Sequence, residues 1–261
     1  MPTAFKNPPI NEVVISSYFT PPLADFRSEH VGLFWEKVKD DFPTVRQQLP
    51  VNIAPDVVAN EFFPMPRYWF IARDEISIIQ IQKNAFMFNW RRRNGNEYPR
   101  YHEVIKPHFD KYHALFSQFI RNEVGIDEPT IDLCELSYIN VIENCEFWAK
   151  PQDTKNVIPS FSILELGIDP SDHLGFNCNY IYRVSTDLEL TIAIRSGVKA
   201  QQQNAPVLLF EIKASGRLGG VAKPVSDEWF QRAHDSINDC FEHMTSTDIQ
   251  NKYWIPINET R

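Results

Sequence analysis

Residues 67–93, RYWFIARDEISIIQIQKNAFMFNWRRR, decide the fold. They contain three β-branched and aromatic runs of strand length, Arg67–Arg73, Ile76–Lys83 and Ala85–Arg93. Asp74-Glu75 and Lys83-Asn84 between them are short enough to be hairpin turns, so the three runs form an antiparallel meander. Period-two alternation then sorts the side chains. Phe86, Phe88 and Trp90 point one way, and Met87, Asn89, Arg91 and Arg93 the other. In the middle run Ile79 and Ile81 oppose Ile78, Gln80 and Gln82.

Upstream, the segment 8–19 is β-branched, ends before Pro21-Pro22 and reads as a strand. Val31, Phe34, Trp35, Val38 and Phe42 follow at helical spacing, and Pro43 closes that helix. Residues 43–60 are punctuated by proline and give no clear element. Downstream, a long helix runs from about Tyr98 to Val124, with Gly125 just past its end. Pro107 inside it implies either a kink or a start nearer Lys106. The second half repeats this order. Strands are expected at 131–142, 160–168, 176–185, 188–198 and 207–215, and a last helix from an N-cap at Ser226 to about residue 246.

The expected class is therefore α+β: an antiparallel sheet from two fused, architecturally similar halves, 1–128 and 129–261, with long amphipathic helices on one face. The absence of a Gly/Ser linker near residue 128 argues for one compact unit.

Composition narrows the function. The 261 residues carry 26 basic and 34 acidic side chains, a net charge of −8. Residues 1–130 hold 15 basic and 16 acidic groups, so most of the negative charge lies in the second half. An acidic chain is a poor non-specific binder of nucleic acid, because phosphate neutralisation supplies most of that affinity. No apolar run reaches the ~18 residues of a membrane helix, and the N-terminus lacks the pattern of a signal peptide. The four cysteines have no metal or redox spacing. These features place the chain in the cytoplasm with reduced thiols and no membrane association.

Several short motifs also carry a resemblance. They are Pro8-Pro9-Ile10 with Glu12-Val13-Val14, Gly32-Leu33-Phe34-Trp35-Glu36, Arg67-Tyr68-Trp69-Phe70 and Gln80-Ile81-Gln82. Phe88-Asn89-Trp90-Arg91, Tyr98-Pro99-Arg100-Tyr101 and Tyr138-Ile139-Asn140 complete the set. Together they resemble a sporadically distributed group of bacterial proteins of about 250 residues. The likeness is most specific in the first 140 residues. Sporadic distribution implies mobile-gene behaviour, as in defence or toxin–antitoxin loci. The resemblance transfers no catalytic residue.

The candidate ligand-binding residues are Arg67, Gln80, Gln82, Asn89, Arg91, Arg93 and Asn140. Amide and guanidinium groups gathered on a sheet face suit planar hydrogen-bonding ligands such as bases, carboxylates, phosphates or a partner's backbone. Arg91-Arg92-Arg93 and Arg100, flanked by Trp90, Tyr98 and Tyr101, form a basic-aromatic cluster of the kind that holds single strands. Its competing reading is a charged hairpin exit that keeps an edge soluble. His102, His108 and His113 do not share a helical face, and neither a metal site nor a cofactor is expected. Glu135, Glu143 and Glu146 are carboxylates whose pairing the sequence leaves open. No nucleophile motif is present. The segment 215–220, Ser-Gly-Arg-Leu-Gly-Gly, reads as a crossover loop with weak phosphate-binding character. The leading expectation is a non-catalytic interaction protein with a protein partner or a second copy of itself, an accessory or antitoxin-like component. A nucleic-acid or nucleotide binder and an enzyme with an unrecognised site are the competing expectations.

Overall fold

A computed structural model describes residues 4–52, 65–127, 129–163, 169, 174–199 and 204–257. Its core is a nine-stranded antiparallel sheet. The strands are β2 (Ile10–Thr20), β3 (Thr44–Gln48), β4 (Arg67–Ile71), β5 (Ser77–Gln82), β6 (Ala85–Arg91), β7 (Thr130–Glu143), β8 (Asn177–Ser185), β9 (Leu188–Lys199) and β10 (Ala205–Val221). Their order across the sheet is β3-β4-β5-β6-β2-β7-β10-β9-β8. A separate two-stranded sheet joins β1 (Ala4–Phe5) to β11 (Pro256–Ile257). The class is α+β with an antiparallel sheet, as the alternation in 67–93 predicts.

The chain divides into two compact units. One holds residues 13–136 and 216–230. Here β4, β5 and β6 form the meander, with Lys83-Asn84 as the two-residue link between β5 and β6. Helix α1 (Ser28–Val38) buries Val31, Phe34 and Val38, and α2 (Lys106–Phe119) buries Phe109, Tyr112, Phe116 and Phe119. Both cover the face that carries Phe70, Phe86 and Phe88, through ring contacts Phe34–Phe70 at 6.0 Å and Phe86–Phe116 at 5.5 Å. Pro107 sits in the first turn of α2, where its missing N–H costs nothing, and a π-helical turn, Tyr101–Ile105, precedes it. The long helix therefore begins near Lys106 in α-geometry rather than kinking at Pro107. Gly125, at φ 74°, ends it in the left-handed conformation that glycine adopts without strain.

The other unit holds residues 1–12, 137–215 and 231–261. It includes the short α3 (Thr154–Val157), most of α4 (Lys223–Met244) and α5 (Thr247–Ile249). Phe241 of α4 stacks on Phe210 of β10 at 5.9 Å, and the Tyr138 hydroxyl of β7 bonds His234 of α4 at 2.9 Å.

Three expectations need correction. The last helix starts at Lys223, not at a Ser226 cap; the Ser226 hydroxyl turns back to donate to the Lys223 carbonyl at 2.7 Å. The segment 215–220 is no crossover loop. It continues β10, with Arg217 paired to Asp132 of β7 at 2.6 Å and positive φ only at Gly219 and Gly220. Residues 160–163 carry no strand, and the rest of the strand expected over 160–168 lies outside the described residues.

Candidate functional site

Register places Trp69 of β4, Gln80 of β5 and Met87 of β6 in one cross-sheet row, and Ile71, Ile78 and Asn89 in the next. Directly opposed residues point to one face, so Arg67, Trp69, Gln80, Gln82, Asn89 and Arg91 lie opposite the helix-covered Phe86 and Phe88. Arg46 of β3 faces Trp69 and joins that side. The candidate residues of the meander therefore do share a face, but most of their polar groups bond within the protein.

Gln82 is fully buried and its amide pairs with the Val51 backbone in both directions. Its Nε2 donates to the Val51 carbonyl at 2.7 Å, and the Val51 N–H donates to its Oε1 at 3.1 Å. Asn84 extends the clamp by donating to the Asn52 carbonyl at 3.0 Å. Asn52 and the Tyr18 hydroxyl both donate to the Glu135 carboxylate, at 3.2 and 2.8 Å. Burial, reinforced by the Glu135 charge, pushes the Tyr18 phenol well above its ordinary range. Arg91 donates to the Glu75 carbonyl at 2.8 Å, in a turn where Glu75 has φ 60°. Arg93 lies beyond β6 and donates to the Arg92 carbonyl at 3.0 Å. Asn140 belongs to the other unit, where its Nδ2 donates to the Phe210 carbonyl at 3.0 Å.

Gln80 is the exception on this face. Its Nε2 donates to Asn89 at 2.5 Å, while its Oε1, in a side chain only 3% exposed, has no hydrogen-bond partner among the described residues. The same holds for Trp69 Nε1 and Arg67 Nε. The Arg67 guanidinium lies 5.6 Å from the centre of the Trp69 ring. Burial lowers its pKa, offset in part by Tyr18. Arg46 lay in a stretch without a legible pattern, so nothing in the sequence pointed to it.

The basic-aromatic cluster does not assemble on one surface. Trp90 is 3% exposed and points to the helix-covered side, packing edge-on against Tyr98 at 5.5 Å, so it offers no face for stacking a base. The three carboxylates all have partners: Glu135 as above, Glu143 with Lys199, and Glu146 with Lys252 at 2.5 Å. Among the described residues, no His, Cys, Asp and Glu group could hold a metal ion. His113 is buried between Phe19, Phe86 and Phe109, and neither ring nitrogen has a hydrogen-bond partner among the described residues. Burial and the nearby Lys223 charge pull its pKa down to about 4, so it is neutral at pH 7.

A four-charge square also escaped the sequence reading. Lys106 reaches Asp110 at 2.7 Å and Asp227 at 2.8 Å, and Lys223 reaches the same two at 2.6 and 2.8 Å. Burial opposes ionisation of Asp227, but hydrogen bonds from Lys106 and Lys223 outweigh it and hold the carboxyl below its ordinary value. The square is charge-balanced and ties the start of α2 to the start of α4.

The two ends of the sheet differ sharply. At one end β3 is five residues long, polar and bounded by Pro43 and Pro50, a pattern that resists strand addition. At the other, β8 is nine residues long, with no strand on its outer edge among the described residues. Ile181 is 70% exposed, Tyr182 56%, Val184 51% and Tyr180 42%, and Arg183 is the strand's one charged residue. By register Tyr180 and Tyr182 stand with Ile192 and Leu190 of β9, while Ile181 stands on the other face with Thr191. One face of this edge is therefore aromatic, and on the other the exposed Ile181 stands between Asn179 and Arg183. Its sequence carries the signal, since β-branched and aromatic residues alternate there without the lysine or proline that usually guards an edge.

No protein-family model matches the chain, and no curated protein is significantly similar to it.

Proposed function

We propose that this is a non-catalytic interaction protein that engages a polypeptide partner along the outer edge of β8. The exposed apolar edge is the observation that carries the reading. The backbone groups of every second residue of β8 turn away from β9 and offer main-chain hydrogen bonds, and Tyr180, Ile181, Tyr182 and Val184 offer apolar contacts. The four free cysteines suit a reducing compartment such as the cytoplasm. No helix among the described residues is long and apolar enough to cross a membrane. The likeness to a sporadically distributed bacterial group fits an accessory or antitoxin-like component of a defence locus. Native mass spectrometry of the protein isolated from its own cells tests this. A stoichiometric polypeptide assembly that Ile181→Lys dissolves is the expected result; an assembly indifferent to that change refutes the reading.

A second reading rests on the partnerless Gln80 Oε1, Trp69 Nε1 and Arg67 Nε, which could receive a planar anionic ligand such as a nucleotide. It requires mononucleotides to raise the melting temperature of the wild type but not of Arg67→Ala.

A further inference from the structure

We infer that the occupant of the β8 edge is a second copy of this chain, paired antiparallel about a two-fold axis through Ile181. The inference rests on the reading of β8 as the interaction edge and adds the partner and the register. In an antiparallel pair, opposed residues point to the same face, so a two-fold axis normal to the sheet must pass through a residue position rather than between two. Centring on Ile181 pairs Asn179 to Arg183 with their counterparts and stops short of the irregularity in β8 between Arg183 and Ser185.

That register is self-complementary over the regular stretch from Asn179 to Arg183. Ile181, the most exposed residue of the strand, meets its own counterpart. Tyr180 meets Tyr182 twice on the face shared with Ile192 and Leu190, a favourable cross-strand aromatic pair. Arg183 meets Asn179, an uncharged acceptor. Centring on residue 183 instead would oppose arginine to arginine and leave Asn177–Tyr180 outside the pairing. The self-paired register thus satisfies the edge, covers its apolar side chains and avoids like-charge opposition.

The strand edge is about 30 Å long. One strand pair buries less than the roughly 1,200 Å² of a standard stable interface, so the dimer is reversible, with a dissociation constant in the micromolar range. Joining two such sheets gives a continuous sheet of eighteen strands, twice the nine of one chain.

Sedimentation equilibrium and cysteine cross-linking of the full-length protein test this together. The wild type should dimerise reversibly, and Ile181→Lys, at a largely exposed position that leaves the circular dichroism unchanged, should weaken the dimer at least about tenfold. Under mild oxidation Ile181→Cys should form an intermolecular disulfide, because directly opposed Cα atoms lie about 4.5–5.5 Å apart, within disulfide reach. Asn179→Cys, about 13 Å from its own copy, and the native Cys178, about 20 Å from its copy, should not. Cross-linking through residue 179 or 178 overturns the register. A wild type that stays monomeric at about 100 μM overturns the second copy as occupant. The edge reading then stands or falls separately, on whether Ile181→Lys dissolves the assembly isolated from cells. A dimer that Ile181→Lys leaves intact overturns both.

Discussion

Replacing His113 by leucine should remove a defined part of this protein's acid sensitivity. The imidazole is buried among Phe19, Phe86 and Phe109, with both nitrogens lacking a hydrogen-bond partner among the described residues. Burial, then Lys223, lowers its pKa to about 4 from an ordinary value of 6.5; Asp110 and Asp227 oppose the shift and Lys106 adds to it. Between those values the unfolded chain binds a proton that the folded chain refuses. The stability tied to His113 is therefore complete above pH 6.5 and is lost as pH falls from there toward 4. At 1.36 kcal/mol per unit, about 2 kcal/mol is gone by pH 5 and about 3 kcal/mol below pH 4. At pH 7 the variant should stay within about 1 kcal/mol of wild type, since a lost ring contact is set against a lost unsatisfied polar group. Urea unfolding at pH 7 and pH 5 reads the difference directly. The wild type should lose about 2 kcal/mol more than His113→Leu over that interval. Equal losses in the two proteins, or an imidazole NMR signal of His113 titrating near 6.5 in the folded state, would refute the reasoning.

Three further outcomes follow from the hydrogen-bond geometry. Asp227→Asn deprives Lys106 and Lys223 of a shared carboxylate and should cost about 2 kcal/mol in urea unfolding, a loss reduced in high salt because the carboxylate is partly exposed. Gln82→Leu leaves the Val51 N–H and carbonyl without their side-chain partner; about 2 kcal/mol of stability and the exchange protection of the Val51 amide should both disappear. Tyr138→Phe removes the buried hydroxyl bonded to His234 and should cost about 1 kcal/mol, measurable as a shift in the urea midpoint at unchanged slope.

How far the sequence could be read depended on whether the deciding interaction was local. The β5–β6 hairpin was legible because Lys83-Asn84 leaves one short turn and alternation then sets every side chain's face. The helix around 106–124 was legible because its apolar stripe, Pro107 and Gly125 all act within a few residues. β3 was not, because Thr44–Gln48 is exposed and polar and becomes a strand only through its pairing with β4. The segment 215–220 misled for a related reason: its glycines suggest a loop, yet β10 continues through them beside β7. For the candidate site, alternation correctly grouped Gln80, Gln82, Asn89 and Arg91. It carried no information on partners, so the Gln82–Val51 clamp, separated by 31 residues in sequence, was invisible. The charge square joins two i,i+4 pairs 113 residues apart, and only the folded chain brings them together.

The position of β2 in the sheet sets a constraint on synthesis. This apolar strand leaves the ribosome well before its neighbours β6 and β7, which follow about 65 and 110 residues later. At about 5–20 residues per second, the nascent strand waits several seconds for its first neighbour and longer still for its second. Throughout that interval, Val13-Val14-Ile15 and Tyr18-Phe19 are emerging with no sheet to join. Nascent-chain holding factors, or codons that quicken translation of residues 20–130, should therefore raise the soluble yield more than changes made after residue 143.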